Sequence, residues 1–197
     1  MAWPEPITLA GVHASLVPLS LDHVDDLAEA SADGGLHRLW YTTVPAPEDV
    51  AAEIERRLEL QAAGSMVPFA VLDPSGRAVG MTTYMNIDAV NKRVEIGSTW
   101  YRKAVQRSAV NTQCKLLLLT HAFEDLGCNA VELRTHRLNV QSRRGIERLG
   151  AQLDGILRNH MVMANGTLRD TAVYSIIAGE WPAVKANLTW MLEKPRD

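Results

Sequence analysis

One stretch, residues 94–150, constrains the fold more than any other. It opens with Val94-Glu-Ile-Gly-Ser-Thr-Trp-Tyr101, passes through a polar and basic segment from Arg102 to Asn111, and continues as an apolar-faced run from Thr112 to Gly127. Ala130-Val-Glu-Leu-Arg-Thr-His136 follows, then Asn139 to Gly150. The order is strand, loop, long helix, strand, short helix. Such an order lets the second strand lie parallel beside the first, with the helix as crossover. A loop feeding a helix N-terminus gathers unpaired backbone N–H groups and the positive end of the helix dipole, a setting that suits a phosphate. The chain is built around an anion-binding crossover.

The flanks extend this core. Residues 14–19 read as a first strand, with Pro18 placing it near an edge. Asp22 caps a helix to about Ala32, with Leu21, Val24, Leu27 and Ala28 on one face. Pro45-Ala-Pro-Glu-Asp49 opens a second helix that carries Ile54, Leu58 and Gln61 and ends at Gly64. Val67–Leu72, Ala78–Asp88 and Arg93–Tyr101 form a meander whose first turn is Asp73-Pro-Ser-Gly76. After Gly150, strands over 151–163 and 168–178 are joined by Asn165-Gly166, a strong hairpin signal. A last helix starts near Glu180 and carries Val184, Leu188 and Met191. The expectation is one domain over 1–197, of class α+β (α/β/α), with a mixed, mostly antiparallel sheet of about seven strands flanked by helices.

Composition narrows the function. The formal net charge of -3 argues against a dedicated nucleic-acid binder. Cys114 and Cys128 lack metal-ligand spacing and read as free thiols in a reducing compartment, so no metal is expected. No apolar run reaches the length of a membrane span, and the start lacks a basic-then-apolar leader, which makes a cytoplasmic protein the expectation. The candidate phosphate cradle is Gln106, Arg107, Ser108, Ala109, Val110 and Asn111 with Thr112 at the helix start, ringed by Arg102 and Lys103. Leu116–Leu119, Ala122 and Phe123 read as core of the crossover helix, and Trp181 and Trp190 as core or dimer-contact residues.

Residues 94–150 resemble the cofactor-binding core of the GNAT superfamily of acetyl-CoA-dependent N-acetyltransferases. Within it they are similar to the branch typified by ribosomal-protein N-terminal acetyltransferases of the RimJ/RimL type. The likeness rests on 94–100, Gln106 to Gln113, 121–127, Val131-Glu-Leu-Arg134 and Asn139-Val-Gln-Ser142. It extends through Ile146-Glu-Arg-Leu-Gly150, Asp154-Gly-Ile-Leu-Arg158 and Arg169-Asp-Thr-Ala-Val-Tyr-Ser175. One departure stands out. The family's pyrophosphate signature, Gln/Arg-x-x-Gly-x-Gly/Ala, is here Gln106-x-x-Ala109-x-Asn111. Ala109 fits if its φ stays negative, and Asn111 tolerates a left-handed turn or caps the helix.

The resemblance implies that the strands of 94–101 and 130–137 start paired and then splay, opening a wedge for the pantetheine arm of acetyl-CoA. Backbone groups of Ser98, Thr99 and Trp100 would bind that arm, one amide facing the thioester oxygen. Asn139 and Ser142 match the Asn-x-x-Ser motif, which implies cofactor contacts and makes Ser142 the candidate acid for the leaving thiolate. The base is open between Glu95 and His160, with Tyr174 and a water relay as alternatives. Arg134, Arg137, Arg143, Arg144 and Arg148 are candidates for the cofactor's 3′-phosphate or for an acidic partner, and Trp40 and Tyr41 for the acceptor pocket. The implied acceptor is a protein N-terminus or a small-molecule amine, and the implied assembly a homodimer. The other reading is a non-catalytic module that binds an acyl-CoA or a protein partner.

Overall fold

The computed structural model describes residues 3–194. Seven strands make one sheet: β1 (Ser15–Pro18), β2 (Met66–Leu72), β3 (Ala78–Asp88), β4 (Arg93–Tyr101), β5 (Ala130–His136), β6 (Gln152–Val162) and β7 (Leu168–Ile177). Their spatial order is β1-β2-β3-β4-β5-β7-β6. Every neighbouring pair is antiparallel except β4–β5, which is parallel. The helices are α1 (Val24–Ala32), α2 (Val50–Ala62), α3 (Val110–Thr120), α4 (Val140–Glu147) and α5 (Trp181–Glu193). This is the expected mixed, mostly antiparallel sheet with flanking helices.

Side chains alternate faces along a strand, and that alternation divides the core in two. On one face Phe69, Tyr84, Val94, Ile96, Val131, Leu133 and Tyr174 pack with Leu118 of α3 and Leu188 of α5. On the other, Ala70, Met81 and Trp100 pack with Leu27 and Ala30 of α1 and Ile54 of α2. Each large apolar side chain sealed this way stabilises the fold by about 1.5–3 kcal/mol. In α3, Leu118, Leu119 and nearby Ala122 are fully buried; Trp181 is core, whereas Trp190, on the outer side of α5, is 58% exposed and is not.

The β4–β5 pair is incomplete. Only Arg93, Val94 and Glu95 pair with Ala130, Val131 and Glu132, although both strands run on. Beyond that point β5 pairs with β7 along its whole length, through Thr135↔Ala172 and His136↔Thr171. β4 stays on β3 but bulges, with Gly97 opposite Thr83 and Trp100 opposite Met81. Two residues, Ser98 and Thr99, thus face the single Thr82, and Ser98 takes a left-handed φ of 48°. The bulge turns β4 away while β7 holds β5. The facing edges of the two strands part into a wedge.

Two boundaries differ from the sequence reading. Asp22 does not cap α1; a 3-10 turn over Leu21–His23 precedes it, and Leu21 is 48% exposed. Ser20 sets that turn, its N–H donating to His23 Nδ1 at 3.1 Å. Helix α3 starts at Val110 rather than Thr112, and after Thr120 it gives way to a π turn over His121–Asp125. There the Leu126 N–H reaches back to the His121 carbonyl at 3.0 Å, and His121 Nδ1 pairs with Asp125 at 2.8 Å.

Close approach of β3 to the bulged strand gives a testable asymmetry between glycines. A Cβ on Gly80 would collide with the Trp100 carbonyl oxygen and lie 2.9 Å from the Tyr101 Cα, whereas one on Gly145 in α4 meets nothing within 4 Å. Urea denaturation is expected to show Gly80→Ala destabilised by about 2–3 kcal/mol, since backbone must move. Gly145→Ala is expected to gain up to about 1 kcal/mol from helix propensity.

Candidate active site at the splayed strands

The N-terminus of α3 stands where β4 ends. The connecting loop is anchored to α1. Arg102 pairs with Asp33 at 3.3 Å, and Asp33 also accepts the Ala104 N–H at 2.8 Å, which holds its carboxyl below the usual range. The left-handed turn falls at Arg107, with φ 62°. Ala109 therefore keeps a right-handed φ of -70°, and its methyl group is accommodated. Asn111 neither caps nor turns; it is the second residue of the helix. Nor does Thr112 cap α3. Ser108 supplies the cap, its hydroxyl accepting the Val110 N–H at 3.2 Å and donating to the Val105 carbonyl at 2.6 Å. The N–H groups of Arg107, Ala109, Asn111 and Thr112 have no acceptor among the described residues. Four free amides at the positive end of a helix form an anion cradle without glycine. Gln106 turns inward, its Nε2 donating to the Tyr101 carbonyl at 3.0 Å.

The floor of the wedge is the β4 bulge. Thr99 Oγ1 lies 2.7 Å from Thr82 Oγ1, receives Lys115 Nζ of α3 at 3.2 Å, and lies 3.3 Å from the Gly97 carbonyl. Lys115 is only 5% exposed, and burial lowers its pKa to about 8. Cys114 beside it is pushed up to about 12 by burial, and Cys128 to about 11, so neither is a thiolate near neutrality.

Across the opening, β5 leads into α4. The Asn139 side chain caps that helix by accepting the Ser142 N–H at 3.0 Å, while the Asn139 N–H donates to the His136 carbonyl at 2.8 Å. The Ser142 hydroxyl has no partner among the described residues and is half-buried in the first turn. Tyr174 locks α4 to the sheet: its hydroxyl accepts from Arg143 Nε at 2.8 Å and donates to Glu147 at 2.7 Å. Burial raises its pKa against the pull of Arg143. Tyr174 is a structural joint between α4 and the sheet.

Glu95 occupies the opposite sheet face, in the last paired residue of β4. It is 5% exposed, receives Asn86 Nδ2 at 2.6 Å, and lies 3.4 Å from Arg134. Burial raises its pKa above the usual carboxylate range, opposed by Asn86 and Arg134. A Cβ on Gly97 would sit 2.8 Å from Glu95 Oε1 and 2.6 Å from Met85 Sδ, so the carboxylate leans along β4 over Gly97, toward the opening. His160 is exposed on the edge strand β6, next to a bulge at Asn159 (φ 49°), with Nδ1 3.1 Å from Thr171 Oγ1.

His136 is the residue the sequence reading passed over. It ends β5 opposite Thr171, buried, with the Trp40 ring 5.2 Å away and Tyr41 stacked edge-on to Trp40 at 5.7 Å. The Leu138 N–H donates to its Nδ1 at 3.0 Å. A neutral ring that accepts at Nδ1 carries its proton on Nε2, and that atom is buried without a partner. Burial, with Arg169 and Arg137 nearby, lowers its pKa, so it offers a donor. The signal was present in β5: Glu132, Arg134 and His136 alternate with Val131, Leu133 and Thr135. The arginines, by contrast, do not form one patch. Arg134 is held by Glu132 at 2.7 Å, Arg137 by Asp170 at 3.5 Å, and Arg148 Nη1 donates to Thr112 Oγ1 at 3.2 Å beside the anion cradle. Among the described residues, no group of three His, Cys, Asp or Glu side chains is placed to hold a metal, and no helix is long and apolar enough to cross a membrane.

Comparison with known proteins agrees with this geometry. Residues 14–152 match the family described as "Acetyltransferase (GNAT) domain". A solved GCN5-related N-acetyltransferase from Brucella melitensis is 33% identical, with a TM-score of 0.86 over 98% of this chain and 89% of its own. The Bacillus subtilis (strain 168) protein described as "Putative ribosomal N-acetyltransferase YdaF" is 34% identical over 110 residues, which is 56% of this chain and 59% of that relative's length. Mycobacterium smegmatis RimJ in complex with CoA-disulfide has the same fold at 18% identity, with a TM-score of 0.80 over 94% of this chain and 95% of its own. The chain belongs to the GNAT acetyltransferase family.

The capping bond at α4 is open to direct test. Asn139→Ala is expected to cost about 1 kcal/mol in urea denaturation, the usual value of a lost side-chain cap. Asn139→Asp is expected to retain most of that stability, because a carboxylate still accepts the Ser142 N–H.

Proposed function

We propose that this chain catalyses direct transfer of an acetyl group from acetyl-CoA to an amine. A protein N-terminus is the first acceptor class to test, and a small-molecule amine the second. One observation carries the reading: the β4–β5 pair parts after Glu95 and Glu132, and the free amides of the α3 N-terminus stand at the mouth of the gap. Gln106, Arg107, Ser108, Ala109, Val110, Asn111 and Thr112 would hold the pyrophosphate, through the free amides of Arg107, Ala109, Asn111 and Thr112. Backbone groups of Ser98, Thr99 and Trp100 would bind the amide-bearing arm along the open edge of β4. Asn139 positions the α4 turn beside it. Acetyl-CoA supplies the thioester carbon; the residues hold, orient and move protons.

In the step itself the amine nitrogen bonds the carbonyl carbon and the carbon–sulfur bond breaks. Glu95 accepts the amine proton and the Ser142 hydroxyl donates one to the departing thiolate. Glu95 is favoured over His160 because its carboxylate is buried and leans toward the opening, whereas His160 is exposed on β6 and bound to Thr171. Family membership favours catalysis over a non-catalytic acyl-CoA-binding module. A ribosomal-protein acceptor rests on the Bacillus subtilis relative, of which this chain spans about 59%. The reading includes one catalytic domain in the cytoplasm, pairing as a homodimer. Exposed Leu157, Met161 and Val162 on the edge strand β6 support that pairing.

Isothermal titration of acetyl-CoA, followed by thiol release on N-terminal peptides and small amines, tests the reading. Micromolar binding that weakens in Asn139→Ala, with turnover on at least one amine, is the expected result. No binding at millimolar acetyl-CoA would overturn it.

Glu95→Gln is expected to lower kcat by roughly 10²–10⁴-fold, the usual worth of a positioned base, with little change in acetyl-CoA binding. Because burial raises the Glu95 pKa, kcat/KM should rise with pH through a value above the ordinary carboxylate range. That acid limb should vanish in Glu95→Gln. An unchanged limb would assign the base elsewhere, with His160→Ala as the next variant.

A further inference from the structure

Lys115 has no role in the chemistry above, yet α3 drives its charged end beneath the wedge. It is 5% exposed, and its one hydrogen bond among the described residues is to Thr99 Oγ1 at 3.2 Å. Burying an amine costs stability unless it is bonded, so a lysine here calls for a reason beyond packing.

The hydrogen-bond directions around Thr99 can be assigned. An ammonium only donates, and a carbonyl only accepts. Lys115 therefore donates to Thr99 Oγ1, and the single Thr99 proton goes to the Gly97 carbonyl at 3.3 Å. Thr82, 2.7 Å away and completely buried, must then donate to Thr99 as well. The Thr99 hydroxyl is thereby fully committed, and its proton is fixed on Gly97. The Gly97 carbonyl and the Ser98 N–H belong to one planar peptide and point in opposite directions. Holding the carbonyl thus sets the direction of the Ser98 N–H, at the residue whose φ of 48° makes the bulge. A side chain other than glycine in that region is strained and persists only where its surroundings over-determine it.

We infer that Lys115 is a positioning residue for acetyl transfer: through Thr99 and Thr82 it fixes the Gly97–Ser98 peptide of the β4 bulge, and so the backbone that faces the thioester. The catalytic part of this inference rests on the acetyltransferase reading above. The structural part does not.

Lys115→Met keeps the length and apolar stem while removing every donor; Thr99→Val removes the hub and Thr99→Ser restores it. Amide hydrogen exchange is measured first. At least tenfold faster exchange is expected at residues 98–100 in Lys115→Met and Thr99→Val, with 93–95 unchanged and Thr99→Ser like the parent. This readout needs neither cofactor nor activity, so it stands even if acetyl-CoA does not bind. Where acetyl-CoA turns over, kcat should fall at least tenfold in each single variant, and by more than acetyl-CoA affinity falls. The double variant should be no slower than the slower single one, because both break the same chain of bonds. Unchanged exchange at 98–100 in both Lys115→Met and Thr99→Val would overturn the inference. So would losses in kcat that multiply in the double variant. Should Lys115→Met fail to fold, the Thr99→Val and Thr99→Ser pair decides by the same exchange measurement.

Discussion

Three residue pairs hold β4 to β5, and the rest of the molecule depends on the pairing stopping there. A parallel pair leaves no free edge while it lasts; once it ends, each strand exposes a row of unpaired N–H and C=O groups inside the protein. Two opposed attachments force the ending. β7 pairs with β5 to its last residue, and the Ser98–Thr99 bulge bends β4 on its bond to β3. The unpaired edges are the kind of surface that an extended, amide-bearing ligand satisfies, and the two strands deliver their chain ends to two helix N-termini, those of α3 and α4.

Electrostatics divides the gap into regions with different chemical capacities. At the mouth, free amides of α3 and the guanidinium of Arg148, bonded to Thr112, favour negative charge. In the first turn of α4, fixed by Asn139, the Ser142 hydroxyl has no partner among the described residues. On the opposite sheet face, Glu95 combines burial, a raised pKa and a lean permitted by Gly97. His136 faces the same side as a neutral donor under Trp40. In the proposed reading, anion binding, proton donation and proton acceptance are divided among separate elements around the opening.

Much of this was legible in the sequence because it follows from local rules. Asp73-Pro-Ser-Gly76 and Asn165-Gly166 marked the hairpin turns between strands, and the strand–loop–helix–strand order announced the parallel crossover. The Asn139 cap was also visible, as Asn ahead of a short helix. What was not legible depended on tertiary partners. The left-handed position moved from Asn111 to Arg107 because the loop is tied down by Asp33, some seventy residues away in the chain. The Tyr174 hydroxyl is claimed by Arg143 and Glu147 of α4. Among arginines close in sequence, local carboxylates took Arg134 and Arg137, while Arg148 bonds Thr112 beside the α3 N-terminus. Lys115 and His136 looked like one more helix lysine and one more strand histidine until their single partners were known.

The central claim is that the opening beyond Glu95 is a cofactor site lined by backbone. Amide chemical-shift perturbation in ¹⁵N-labelled protein titrated with coenzyme A tests it most directly. Large shifts are expected at Ser98, Thr99 and Trp100 and at Arg107, Ala109, Asn111 and Thr112, with Arg93 to Glu95 little changed. Shifts confined to other surfaces, or no shifts at saturating coenzyme A, would contradict it.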